Sequence, residues 1–454
     1  MVATALGSHT DVRTDRMDGR MRLVLLVLLV AQFMLAVDFS ILNVALPVIG
    51  EGLGFTLGNL QWIATAFALA AAGFTLLLGR VADIVGRRRL FLAGMALLGI
   101  SSLVGGLATN PGMLMAARVA QGLATAAVTP AGLSLLTSSF PEGPLRAKAL
   151  GLNGALMSAG FTTGAVLGGV LTDVLSWRWA FFINVPVALA VLVVAPAVLK
   201  ESRPAVRPRL DIPGAITVTG GLLALVHGLT TEPLALPVGV ALLVAFWFVE
   251  RRAASPLVPV RILTRRTVVH GNLAGLVAFV TETSLVFLMT LYLQDVLGFS
   301  PLAAGLSFGV LGAGTVLGGV YASRFIGRYG ARAALVGGGL LQAAATLSLY
   351  ALGDDPAWLW LLLAGTFVGG VGNMLAIVGF MVTATSGLPD SEQGMATGLA
   401  TMTQQIGITM GTPIMSAVVV TSTTVLDGIG LAVLVNAAIV LVGAVLAGLF
   451  LRRS

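Results

Sequence analysis

Long apolar runs alternate along this chain with short polar breaks, and nearly every run is close to the length that crosses a bilayer. A hydrocarbon core ~30 Å thick takes about 20 apolar residues wound as helix. The pattern predicts fourteen helices, at 22–46, 59–80, 89–109, 112–138, 146–172, 179–199, 211–230, 234–250, 268–294, 301–323, 332–352, 357–386, 394–421 and 428–451. Positive charge is confined to alternate breaks: Arg13 to Arg22, Arg80 to Arg89, Arg146 and Lys148, Lys200 to Arg209, Arg251 to Arg266, Arg324 to Arg332, and Arg452 with Arg453. Of the 26 basic residues only Arg118, inside helix 4, and Arg178 fall elsewhere. The other breaks hold mainly acids, Glu51, Asp173, Glu232, Asp295, Asp354, Asp355 and Asp427. This asymmetry predicts an even number of crossings with both termini cytoplasmic.

Composition narrows the class further. At 57% hydrophobic and 10% charged over 454 residues, with a mean hydropathy of +0.99, the chain lacks the polar surface of a soluble domain. The net charge of +7 is then a cytoplasmic face meeting anionic lipid, and no nucleic-acid partner is expected. The first apolar run is too long for a cleaved signal peptide and reads as a retained helix. Zero cysteines exclude disulfides, thiolate metal sites and cysteine nucleophiles; no metal or cofactor is expected. Two lysines against 24 arginines, among abundant Ala, Gly, Val and Leu, suggest a GC-rich bacterial genome and hence a bacterial cytoplasmic (inner) membrane.

The expected fold is an all-α polytopic membrane protein. Residues 1–20 form a polar tail expected to be disordered, 21–199 a six-helix bundle, and 268–454 a second one. Between them, 200–267 holds the basic linker KESRPAVRPRL (200–210), inserted helices 7 and 8, and a surface segment, RRAASPLVPVRILTRRT (251–267). GRVADIVGRRR (79–89) after helix 2 and GVYASRFIGRYGAR (319–332) after helix 10 form a faint repeat. Related halves facing each other across a central pathway are the usual build of secondary transporters.

The chemistry must come from few residues. Asp38, Arg118, His227 and Glu282 are the ionisable groups within the helices, and a charge at mid-depth costs ~2.5–3.5 kcal/mol on insertion scales. Asp38 lies about 24 Å along helix 1 and Glu282 about 22 Å along helix 9 at 1.5 Å per residue, so the two carboxylates are expected at similar depths in corresponding helices. A carboxylate withdrawn from water holds a proton more readily, which suits loading and release near neutral pH; a structural hydrogen bond, for Asp38 with Asn43 or Gln32, is the alternative. Arg118 is a candidate counter-charge for Asp38, as switch or as static ion pair. His227 reads as a packed or lipid-interface histidine, with a place in a proton relay as the alternative. Asp83, at the C-terminal end of helix 2, needs a cation or another helix's N-terminus; with Gly79, Gly86, Arg87 and Arg88 it could form a gating latch, or simply a turn held by arginines. Gly160, Gly164, Gly168 and Gly169 give helix 5 a smooth packing groove. Asn43, Trp62, Phe279, Phe287, Met289 and Gln404 are candidates for a substrate cavity, the rings and thioether suiting a lipophilic cation; contact with lipid or core packing is the alternative for Trp62, Phe279, Phe287 and Met289.

Taken together, these motifs resemble the major facilitator superfamily, and within it the 14-helix drug:proton antiporters, over residues 22–450. GRVADIVGRRR resembles the signature between helices 2 and 3, VDFSILNVALP (37–47) the helix 1 motif, RVAQG (118–122) that of helix 4, and WRWAFFINVP (177–186) the opening of helix 6. LYLQDVLGFSPLAAGL (291–306) and TQQIGITMG (403–411) also look typical of that branch. The resemblance implies alternating access driven by proton influx, with Asp38 and Arg118 in coupling and Asp83 in gating. Helix 5 departs from the antiporter pattern: Gly164-Ala165 stands for the usual Gly-Pro and Asn153 for a glycine. Ile84 replaces a basic residue in the loop, and Ser323 is read as replacing the acid in its second copy.

The expected function is proton-coupled export of amphipathic, cationic or aromatic compounds by a monomer in contact with membrane lipids, with protons and a small-molecule drug or antibiotic as partners. A dedicated exporter of one metabolite or self-made antibiotic is the alternative within transport. An intramembrane enzyme finds no HExxH or paired-aspartate arrangement and only His9, His227 and His270 as bases. An ATP-driven pump finds no GxxxxGK[ST] loop.

Overall fold

A computed structural model describes residues 17–140, 144–202, 211–230, 232–253, 256–257, 261, 264–386 and 390–451. Of the tail expected to be disordered, residues 1–16 lie outside the described residues, as do most of the linker, much of the surface segment, and Arg452 with Arg453. The end of that tail is ordered instead, with Asp18 capping a helix that begins at Gly19.

Each predicted stretch falls on a helix, as hydrocarbon requires of a backbone that must satisfy its own polar groups. In order they are α1 Gly19–Leu53, α2 Trp62–Val85, α3 Arg87–Gly106, α4 Pro111–Ser139, α5 Pro144–Val174, α6 Trp179–Val198, α7 Ile212–Thr230, α8 Ala235–Arg252, α9 Arg266–Leu291, α10 Pro301–Tyr329, α11 Ala331–Ser348, α12 Leu359–Thr385, α13 Asp390–Val419 and α14 Val425–Phe450. No strand occurs among the described residues. Among them, nine helices are long and apolar enough to cross a membrane, or ten when the bent α2 counts as one span. The protein is a multi-pass membrane protein.

Local chemistry sets the ends. Asp18, Asn110, Ser300 and Thr424 cap α1, α4, α10 and α14 by accepting from backbone N–H groups three residues on. Pro111 and Pro301 follow their caps in the first turn, where the missing N–H costs nothing. α1 runs on to Leu53 because Pro47 lies within it without ending it; Gly54, at φ 77°, ends it instead. α9 continues into a π-helical turn over Tyr292–Val296.

The packing repeats at an interval of eight helices. α1 lies along α5 and also touches α4 and α6; α2 packs on α4, and α3 on α4 and α6. In the same way α9 lies along α13 and touches α12 and α14; α10 packs on α12, and α11 on α12 and α14. The two seams between the sets, α5 on α10 and α2 on α13, exchange with each other under the same operation. α7 and α8 form a hairpin whose α7 backs the α2–α13 seam, donating from Thr219 Oγ1 to the Gly73 carbonyl at 2.5 Å.

Glycines fix the register of this repeat. On α5, Gly160 faces Phe33 and Ala36, Gly164 faces Val37 and Ser40, and Gly168 faces the Ile41 carbonyl. Gly169 instead meets Pro301 and Gly305 across the seam. Ser40 Oγ donates to the Phe161 carbonyl at 2.6 Å. On α13, Gly411 faces Val280 and Thr283, and Thr283 Oγ1 donates to the Ile408 carbonyl at 3.4 Å. Gly164 therefore matches Gly411, Val37 matches Val280, and Ser40 matches Thr283.

One apolar core spans both sets of helices near the ends remote from the N-terminus, with Ile49, Ile63, Leu114 and Phe181 beside Leu288, Tyr292, Phe308 and Ile429. Toward the arginine-rich face the cores are separate, one around Leu28, Phe91 and Leu135, the other around Leu335, Phe380 and Ala447. Close glycine approach predicts a sharp contrast. Gly168→Val drives a side chain into the α1 backbone and should cost ~1–3 kcal/mol or more, lowering the melting temperature of the purified protein in detergent. Gly337→Val, where an added Cβ meets nothing within 4 Å, should leave it nearly unchanged.

Candidate functional site

Asp38 sits mid-way along α1 with no solvent exposure, in a cluster drawn from α1, α3, α4 and α6. Asn184 Nδ2 donates to Asp38 Oδ1 at 2.5 Å and Gln121 Nε2 at 3.0 Å. Gln121 also donates to Ser102 Oγ at 2.9 Å. Arg118 Nη1 lies 3.6 Å from Asp38 Oδ2. It is held in place by donating Nε to the Ile63 carbonyl and Nη1 to Gln121 Oε1, both at 2.9 Å, with its guanidinium 4.3 Å from the Phe67 ring centre. The two carboxylate oxygens thus differ. Oδ1 carries two donors, whereas Oδ2 has no hydrogen bond and feels Arg118 as a charge. A proton arriving at Oδ2 neutralises Asp38 while both bonds to Oδ1 stay in place, and weakens the pull on Arg118 without removing the arginine's other supports.

The repeat carries a second cluster at the matching helices, and it is neutral. Gln342 Nε2 donates to Thr281 Oγ1 at 3.1 Å, Asn373 Nδ2 to the Ala278 carbonyl at 3.2 Å, and Asn436 Nδ2 to the Thr281 carbonyl at 3.1 Å. By the glycine register Thr281 takes the place of Asp38. Gly122 approaches the Phe67 carbonyl as Gly370 approaches that of Leu311, so Thr366 takes the place of Arg118. Asp38 and Glu282 lie at similar depths in corresponding helices, but Glu282 is one residue out of register with Asp38, and one residue turns a helical side chain by about 100°. Glu282 matches Phe39.

Between the halves lies a small cleft lined by Phe39, Asn43, Thr65, Thr283, Ile408, Thr409 and Thr412. The rings of Phe67 and Phe161 stand 5.8 and 6.0 Å from Phe39.

In the turn after α2, Gly86 at φ 122° permits the reversal. Asp83 pairs with Arg87 at 3.1 Å, and Arg88 donates to the Pro196 carbonyl at 2.7 Å and, through its backbone, to Glu201 Oε1 at 3.1 Å. A Cβ on Gly79 would lie 3.5 Å from Pro130 of α4. The turn is therefore pinned to the end of α6, within its own half. In the second copy, Gly330 at φ 84° matches Gly86 and Arg332 donates to the Gly448 carbonyl. On that alignment Gly327 stands opposite Asp83, and Ser323 opposite Gly79, which corrects the assignment made from sequence.

The profile of the Major Facilitator Superfamily matches residues 28–412 and 271–454. The chain belongs to this superfamily. Among its relatives, the cephamycin export protein CmcT of Amycolatopsis lactamdurans is 38% identical over 86% of this chain and 83% of its own length. The puromycin resistance protein pur8 of Streptomyces alboniger is 36% identical over 87% and 81%, and the lincomycin resistance protein of Streptomyces lincolnensis 33% over 89% and 86%. In fold, the chain is similar to the crystal structure of a D-xylose-proton symporter, with a TM-score of 0.69 at 14% identity, covering 95% of this chain and 98% of the other. It is also similar to that of the human organic anion transporter MFSD10 (TETRAN), with a TM-score of 0.66 at 18% identity and coverages of 95% and 100%.

Within this major facilitator fold the candidate residues divide. Asp38 and Arg118 meet; Asn43 reaches the cleft, and Gln404 lies one turn from Ile408. Trp62 turns to His227 of α7, ring centres 6.4 Å apart. Phe279 stands edge-on to Phe380, and Phe287 and Met289 are buried in the core that spans both halves. Gln121, Asn184 and Ser102 escaped sequence reasoning. Gln121 and Asn184 lie inside RVAQG and WRWAFFINVP, where the neighbouring Arg118 and the aromatics drew notice; nothing marked Ser102. Removing one member of a buried ion pair costs ~3–5 kcal/mol, whereas removing both is close to neutral. Arg118→Met should therefore lower the melting temperature in detergent markedly, and the Arg118→Met, Asp38→Asn double variant should recover most of the loss.

Proposed function

We propose that this protein is a proton-driven exporter of amphipathic drugs or antibiotics in the cytoplasmic membrane of a bacterium. It acts as a monomer of fourteen crossings with both termini cytoplasmic. Residues 21–199 and 268–454 are the moving halves, and 200–267 carries the inserted pair. The observation that carries the coupling is Asp38 Oδ2: fully buried, without a hydrogen bond, and 3.6 Å from a fixed arginine. Taking a proton there discharges half of the pair, and returning it restores the attraction, so the preference between two arrangements of the halves follows the protonation of one atom. The arrangement of the cores, joined at one face and separate at the arginine-rich face, supports a cleft that loads from the cytoplasm. In this arrangement Asp83 is paired inside its own turn, and a latch to the other half would form on closing that face. Lipid surrounds the exposed apolar flanks, such as Val193 and Leu449, 76% and 72% exposed.

Export is favoured over uptake by the relatives, whose names include cephamycin export and resistance to puromycin and lincomycin. Those same names support the second reading, a specialist for one antibiotic; growth protection against a broad compound panel separates many hits from one. In everted vesicles energised by a proton gradient, Asp38→Asn should lower drug accumulation at least tenfold while the variant still inserts at normal levels. Undiminished gradient-driven accumulation would remove Asp38 from coupling.

A further inference from the structure

Glu282 and Asp38 are both acids in the first helix of a half, yet their surroundings differ in every respect that matters. Asp38 has no exposure, two amide donors and an arginine. Glu282 is partly exposed and has no hydrogen bond or ion pair among the described residues. Its side of the helix is turned away from the outer flank. Leu273, 45% exposed, marks the outer flank of α9, and nine residues at about 100° each place Glu282 on the opposite side of the helix. The next residue, Thr283, lines the cleft between the halves. The register gives the same direction independently, since the residue matching Glu282 is Phe39, which lines that cleft from α1. The hydrogen-bonded cluster of the second half meanwhile does not include Glu282, being built on Thr281, Gln342, Asn373 and Asn436.

We propose that Glu282 is the anionic contact of the cargo site, receiving the cationic group of the exported compound opposite the ring of Phe39. This rests on the export reading above and refines it. A carboxylate at this depth needs a partner. With no protein cation beside it, a cationic cargo supplies the charge. Phe39 and its neighbouring rings offer the aromatic faces that hold such an ion's flat or alkylated body. Asn43, Thr65 and Thr409 add neutral polar contacts around it. The division of labour is physical: the acid with a fixed arginine exchanges protons, and the acid without one exchanges cations.

The test uses equilibrium binding of ethidium to purified protein without any gradient, so it does not depend on the vesicle result for Asp38→Asn. Glu282→Gln should weaken ethidium binding at least tenfold, and Glu282→Asp, which keeps the charge, by much less. Because the chain has no cysteine, single replacements report accessibility directly. Glu282→Cys should react with a water-soluble cationic methanethiosulfonate and be protected by ethidium, whereas Thr281→Cys should not react. Three results would overturn the proposal: a wild-type protein that binds no ethidium, a monodisperse Glu282→Gln variant with unchanged affinity, or an inert thiol at 282. Loss of coupling in Asp38→Asn with any of these would leave proton-driven export standing and remove only the cation site.

Discussion

The buried pair of Asp38 and Arg118 constrains everything around it. Neither charge can reach water, so each must be answered by the protein, and the answers come from four helices besides α1. The carbonyl of Ile63 and the ring of Phe67 on α2, Ser102 on α3, Gln121 on α4 and Asn184 on α6 converge on α1. Separating any of these helices exposes a charge to hydrocarbon, at a few kcal/mol per group. The cluster therefore holds α1, α2, α3, α4 and α6 together, and α1, which carries Asp38, also touches the other half. Its Val44 carbonyl accepts from Gln294 at 2.8 Å.

The second half repeats the architecture and omits the charge. Thr281, Gln342, Asn373 and Asn436 join the same four helix positions through amides and a hydroxyl, which hold the bundle together at any pH without a titrating group. The seams between the halves obey the same symmetry in backbone placement and break it in their fittings. The α5–α10 seam is glycine against backbone, Gly169 on Pro301 and Gly305 on Ala165. The α2–α13 seam is backed by α7, whose Val218 and Leu222 pack with Met402, Ile406 and Met410.

The helices were legible because hydrocarbon leaves a chain so little choice: apolar length, caps such as Asn110-Pro111 and the alternation of arginine breaks are all local signals. Asp38 and Arg118 were legible for the same reason, since charge in an apolar run stands out without a structure. What was not legible is direction. Trp62 and Met289 read as plausibly as Asn43 for a cavity, and only packing turned the first to α7 and the second into the core. Depth along a helix placed Asp38 and Glu282 level, but depth ignores azimuth, and a one-residue offset put one acid in a bundle interior and the other beside the cleft. The neutral cluster was invisible because Thr281, Gln342, Asn373 and Asn436 are unremarkable residues scattered over about 150 positions.

That offset has a consequence for how a two-fold fold can do two jobs. If both halves carried a caged acid, two protonations would bias the same pair of arrangements and cargo would have no charge of its own to meet. Placing the second acid at the Phe39 position turns the repeat inside out at one residue, so that this acid shares the helix position of a residue that lines the cleft. Coupling then needs no direct competition between proton and cargo for one carboxylate. Under the proposed assignment the proton acts on the first half, the cargo touches both halves, and the two ligands communicate only through the arrangement that each favours.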